Sequence, residues 1–180
     1  MKEGFFRKYL PEFVYGGIDG AITTFAVVCG VVGASLGAGV ALVLGIANLF
    51  ADGFSMAVSN YLSTKSETEL HRYHKDKKKY EKLGKHPIKT GFATFISFVI
   101  IGFIPLFSFV LSLFFPIEKN IVFIVSIILT AISFLIVGYV KGIIVKKHPV
   151  KAAMETLLIG LVASTLAFLV GYLLRELVSV

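Results

Sequence analysis

The chain has 180 residues, 56% of them hydrophobic, with a mean hydropathy of +0.85, well above the roughly 45–50% apolar usage of soluble domains. That composition excludes a soluble globular or disordered protein and identifies an integral membrane protein. The formal charge is +7, yet the lysines gather outside the apolar runs, where they report topology and lipid contact rather than nucleic-acid binding.

The first residues place Phe5, Phe6 and Leu10 among Lys2, Arg7 and Lys8. This pattern predicts a short helix over residues 1–13 lying on the cytoplasmic membrane surface. There is no small-residue cleavage site, and the apolar run that follows is too long for a signal peptide, so the segment is expected to be retained. A stretch of about 20 apolar residues crosses roughly 30 Å of hydrocarbon as helix. Such windows occur at 14–34, 40–63, 91–115, 119–141 and 152–177. The expectation is an all-α protein with five transmembrane helices in one transmembrane domain.

The first two windows are joined by GASLGAG, from Gly33 to Gly39, short enough to demand a tight helical hairpin. A basic connection at 64–90 leads to the third span, where Pro105 predicts a kink. That span ends at Pro116, and the loop IEKN leads into the fourth. The single cysteine, Cys29, sits in an apolar run, which excludes an intramolecular disulfide and a cysteine-built zinc site.

Short cytoplasmic loops carry the excess of Lys and Arg. Nine such residues lie between Lys65 and Lys89, Lys146, Lys147 and Lys151 join the last two spans, and the opposite side has only Lys119 and Arg175. With five spans, every basic segment falls on one side. The amino terminus is expected inside and the carboxyl terminus outside.

Asp19 and Asp52 lie inside these apolar windows, each followed by glycine. A carboxylate at the centre of a membrane helix costs at least about 2.5–3.5 kcal/mol, so it points to ion or proton handling. Asn48, Asp52, Met56 and Asn60 recur every fourth residue on one helical face, a polar stripe that should face protein or water. A hairpin centred near residue 36 or 37 sets Asp19 level with residues 53–55, within about one turn of both Asp52 and Met56 at ~1.5 Å rise per residue. Carboxylate oxygens suit divalent cations, and a thioether is tolerated by Fe²⁺ and later metals but unused by Mg²⁺ or Ca²⁺. In low dielectric the same carboxylates bind protons when no metal is present, so metal entry releases protons.

The blander readings stand beside this one. A methionine in a membrane helix is commonly core filler, and an asparagine such as Asn48 or Asn60 is more often an interhelical hydrogen-bonding residue than a ligand. Thr23 and Thr24 are expected to bond back onto their own helix. Gly16 and Gly20 form a GxxxG around Asp19, which suggests first spans paired across a two-fold dimer. A divalent site wants about six ligands, and a second copy would double Asp19 and Met56 around one axis.

The segments YGGIDGAITTFAVVCGVVGA (Tyr15 to Ala34) and LGIANLFADGFSMAVSNYLSTKSE (Leu44 to Glu67) resemble the vacuolar iron transporter family of Fe²⁺/Mn²⁺ transporters, with weaker similarity in the last three spans. The resemblance implies a homodimer with its pore on the two-fold axis, exporting Fe²⁺ from the cytoplasm in exchange for protons, with metal as substrate and no resident cofactor. It implies Asp19 and Met56 as the intramembrane metal pair, Asp52 and Asn48 beside them, and Glu12 at the cytoplasmic entrance. Many members carry Gly-Glu where this chain has Ser59 and Asn60, and some carry a long glutamate-rich insertion between spans two and three that is short here.

Glu67, His71 and His74 fall at i, i+4 and i+7 if the second helix continues past the membrane, with Glu69 and Glu81 nearby. They are candidate capture ligands, set against lysines that repel cations. Glu155 either faces the cytoplasmic vestibule or favours a helix N-terminus. His86 and His148 precede prolines at span entrances and read as boundary residues. Three functions follow in order: a metal/proton antiporter, a passive divalent-cation channel, and a non-transporting interaction protein. The expected partners are divalent metal ions, protons, the bilayer and a second copy. No nucleophile and base pair or phosphate loop points to an enzyme. The expected location is a prokaryotic plasma membrane, or a vacuolar-type membrane in a eukaryote.

Overall fold

The computed structural model describes residues 5–73 and 85–178, in which all regular structure is helical. The helices are α1 (Phe5–Gly33), α2 (Ala38–Tyr73), α3 (Pro87–Gly102), a 3₁₀ turn at Ile104–Leu106, α4 (Phe107–Phe114), α5 (Lys119–Ile144) and α6 (Pro149–Val178). Five helical stretches are long and apolar enough to cross a membrane, the third being α3, the 3₁₀ turn and α4 together. Residues 5–13 are helical as expected but run straight into the first span, with Pro11 inside α1. They do not form a separate surface helix.

The hairpin between α1 and α2 closes on a pair of backbone bonds, Leu36 N–H to Val31 O at 3.0 Å and Ser35 N–H to Val32 O at 2.9 Å. With Ser35 at φ 57°, this is a Schellman stop. A serine, rather than one of the neighbouring glycines, takes the left-handed position. The same motif ends α5, where Lys146 has φ 55° and Lys147 N–H reaches Gly142 O at 3.0 Å.

Pro105 breaks the third span more fully than a kink. Proline cannot donate to the helix ladder and crowds the preceding turn, so α3 stops at Gly102 and α4 starts at Phe107. Ser126 Oγ of α5 donates to the Pro105 carbonyl at 2.6 Å, which fixes the break against its neighbour.

α1 is the most buried span and α6 the least. The glycines of α1 explain its position. An added Cβ at Gly16 would meet Ser97 and the Thr94 backbone, and one at Gly20 the Phe98 backbone, so α1 and α3 touch almost backbone to backbone. Near its far end Gly33 lies against Phe168, and Gly171 of α6 lies against Gly30. Small residues permit this close approach, which is how helices gain packing energy where lipid is as apolar as leucine. The GxxxG expected to pair first spans across a dimer is therefore filled by α3 of the same chain. Phe25, Val28, Cys29, Leu42, Leu49, Phe98 and Leu106 form the core where α1, α2 and the third span meet.

Candidate functional site

Asp19 lies in the middle of α1, half-buried, and Asp52 lies half-buried on α2. One cross-link sets their register. Asn48 Nδ2 approaches Thr23 Oγ1 at 3.4 Å, and Thr23 Oγ1 donates to the Asp19 carbonyl at 2.9 Å. The helices are antiparallel, so four residues back from Thr23 along α1 matches four residues forward from Asn48 along α2. That places Asp19 level with Asp52, and the two carboxylates lie within electrostatic reach of each other.

The expected level was residues 53–55. The Schellman stop turns the chain at Ser35 and Leu36, earlier than a midpoint at 36 or 37, and this moves the register toward Asp52. Met56 falls one turn nearer the basic end of the helix, partly buried, and packs against the core cluster. Two carboxylates at one level inside a membrane-spanning hairpin call for a counter-charge, either a proton or a cation. Among the described residues, no group of three or more His, Cys, Asp or Glu side chains is placed to hold a metal.

Asn60 has a partner on α3. Its Nδ2 donates to Thr94 Oγ1 at 2.6 Å, Thr94 Oγ1 in turn reaches Thr90 O at 3.0 Å, and Thr90 Oγ1 lies 3.1 Å from Thr64 Oγ1. This polar ladder holds α2 to α3 toward the basic end of the pair. The sequence signal for it was Thr90, Thr94 and Ser97 at i, i+4 and i+7 on α3, a stripe of the same kind as the one on α2. Thr23 bonds back to its own helix as expected. Thr24 does not: its hydroxyl is fully buried with no partner among the described residues.

Glu12 is nine-tenths buried on α1 and accepts a hydrogen bond from Lys85 Nζ at 2.5 Å. Sequence reasoning did not foresee that partner, because 73 residues separate the two. Glu67 is exposed, and Glu69 pairs loosely with Lys65 at 4.0 Å. The backbone of His71 is helical, whereas Glu81 and His74 lie outside the described residues. Glu155 is exposed on α6 and lies 3.9 Å from Lys141 of α5. His86 and His148 are both exposed where α3 and α6 begin.

At the opposite end, beside the α1–α2 turn, a cavity of about 590 Å³ is lined by groups that include Ser35, Ser112, Lys119 and Asn120. None of the candidate metal or entrance residues lies in it.

Comparison with known proteins finds relatives along most of the chain. The vacuolar iron transporter of Plasmodium berghei is 29% identical, the match covering 94% of this chain and 83% of the relative. That of Toxoplasma gondii is 27% identical over 95% of this chain and 76% of its own length, and vacuolar iron transporter 1 of Eucalyptus grandis is 27% identical over 89% and 84%. The P. berghei alignment runs over 227 positions, so that relative carries residues with no counterpart here. The VIT family model matches residues 10–83 and 78–172, two segments that meet in the connection between α2 and α3. With both long motifs and the greater part of every span inside those segments, the chain belongs to the VIT family.

Proposed function

We propose that this protein exports a divalent transition metal from the cytoplasm in exchange for protons, with Fe²⁺ as the principal substrate and Mn²⁺ a second one. The observation that carries this reading is that the Asn48–Thr23 contact sets Asp19 and Asp52 at one level of the membrane-spanning hairpin of a VIT-family chain. The relatives' names state iron transport of those proteins. Two carboxylates in low dielectric alternate between holding protons and holding a divalent ion, and each exchange moves protons against metal. Met56, one turn toward the basic end, supplies the softer sulfur ligand that favours a transition metal over Mg²⁺ or Ca²⁺.

A two-fold dimer completes the site. One copy brings too few ligands together among its described residues, whereas a divalent ion takes about six. The glycines of α1 are occupied by α3 and α6, so the contact between copies falls to the open face of α2. There Ala47, Ala51, Ser55 and Ser59, every fourth residue, are exposed beside the stripe of Asn48, Asp52 and Met56. Small residues at that spacing suit close helix packing, and a second copy seated there adds its own Asp19, Asp52 and Met56.

The distribution of basic residues supports an amino terminus on the inside. The host membrane is vacuolar-type in a eukaryotic cell and the plasma membrane in a prokaryote. Uptake of Fe²⁺ into proteoliposomes tests the reading: uptake should follow an imposed pH gradient and vanish in Asp19→Ala. Metal flux without proton movement would favour a passive channel. Undiminished uptake in Asp19→Ala would remove Asp19 from the path.

A further inference from the structure

Glu12 lies seven residues before Asp19, two turns along α1 or about 10 Å. Lys85 holds one of its oxygens, Oε1. The other, Oε2, is buried with no hydrogen-bond partner among the described residues. Lys85 belongs to the short segment that leads into α3, and the next residue is fixed to α1 as well, with His86 N–H donating to Tyr9 Oη at 3.1 Å. Tyr9 and Glu12 are three apart on one helical face. The ammonium is thus held at the carboxylate by its backbone, while its side chain, about 31% exposed, remains open to water.

We propose that Lys85 is a tethered counter-ion that decides which cations reach Glu12, admitting divalent ions and excluding monovalent ones. This rests on the reading of the chain as a divalent-metal transporter with Glu12 at its entrance. A monovalent ion brings the same single charge as the ammonium and must also shed water. The ammonium competes from the same chain at millimolar or higher effective concentration. A divalent ion brings twice the charge and takes both oxygens, including the Oε2 that Lys85 leaves unpartnered. When the metal moves inward the ammonium returns, so Glu12 is not left as a bare buried carboxylate, the costly state for such a pair.

Two measurements on the reconstituted full chain test the inference. In the first, wild-type protein is treated with an amine-acetylating reagent, and modification of Lys85 is read by mass spectrometry with and without saturating Mn²⁺. Modification should rise several-fold with Mn²⁺ and stay at its basal level with K⁺ alone. In the second, Fe²⁺ uptake is measured for Lys85→Gln at low and high KCl. KM should fall about fivefold at low KCl, the factor carried by a partly exposed ion pair, with kcat little changed. High KCl should then raise KM competitively, an effect absent from wild type and from Lys85→Arg.

A pair that only staples the segment to α1 predicts a lowered melting temperature with KM and KCl response unchanged. That result, or Mn²⁺-independent modification of Lys85, would overturn the inference. A wild-type sample that takes up no Fe²⁺ would overturn the functional reading instead, and the acetylation arm would still report on Lys85.

Discussion

Replacing Gly20 with alanine adds one methyl group where α1 crosses α3. A Cβ there would stand 3.0 Å from both the Cα and the carbonyl carbon of Phe98, and nearer still to its carbonyl oxygen, whereas ordinary contact begins at 3.4 Å. Both sides of this contact are backbone, so no side chain can swing away and the helices must part by roughly half an ångström to one. A gap of that size forfeits about a quarter to a half of the contact energy along the crossing, and overpacking of this kind costs typically 1–3 kcal/mol. Alanine returns about 0.8–1.0 kcal/mol of helix propensity, which leaves a net loss of up to about 2 kcal/mol. Gly39→Ala is the matched control, since none of the described residues lies within 4 Å of a Cβ at that position, and it should be neutral or slightly stabilising. The assay is unfolding by SDS titration in mixed micelles, followed by circular dichroism, with particle mass from light scattering. A Gly20→Ala protein that unfolds with wild-type resistance but has lost a partner copy would refute the reasoning, because the glycine would then serve a contact between chains.

Two further substitutions separate structural polar groups from the metal path. Asn60→Leu removes the 2.6 Å bond to Thr94 and should lower stability by about 0.6 kcal/mol, the average for interhelical bonds in membranes; unchanged unfolding would mean that the ladder does not hold α2 to α3. Glu155→Gln should leave Fe²⁺ uptake and stability near wild type, because Glu155 and Lys141 are 3.9 Å apart on the exposed side of α6 and α5 and such pairs contribute about 0–1 kcal/mol. A tenfold loss of uptake in that variant would put Glu155 in the path.

The five spans were legible because each is a predominantly apolar stretch of bilayer length, and a stretch of that kind has few alternatives to a helix. The level of Asp19 was legible to within one turn. The remaining error came from the turn: hydropathy does not say which residue takes the left-handed position, and Ser35 took it in place of a glycine. The partners of the α1 glycines were not legible either. GxxxG says that something packs closely, and only the fold shows that α3 fills the groove around Gly16 and Gly20. Lys85 was hidden for a related reason, since nothing in a run of lysines marks the one that the start of α3 will set against Glu12.

Asp19 is the residue proposed to exchange protons for a divalent metal. That role is tested most directly by adding Fe²⁺, Mn²⁺, Co²⁺, Zn²⁺ or Mg²⁺ to weakly buffered purified protein and measuring the protons released. Wild type should acidify the medium with the transition-metal ions, and least with Mg²⁺, while Asp19→Asn should release markedly fewer protons. Metal binding without proton release in wild type, or equal release in Asp19→Asn, would contradict it.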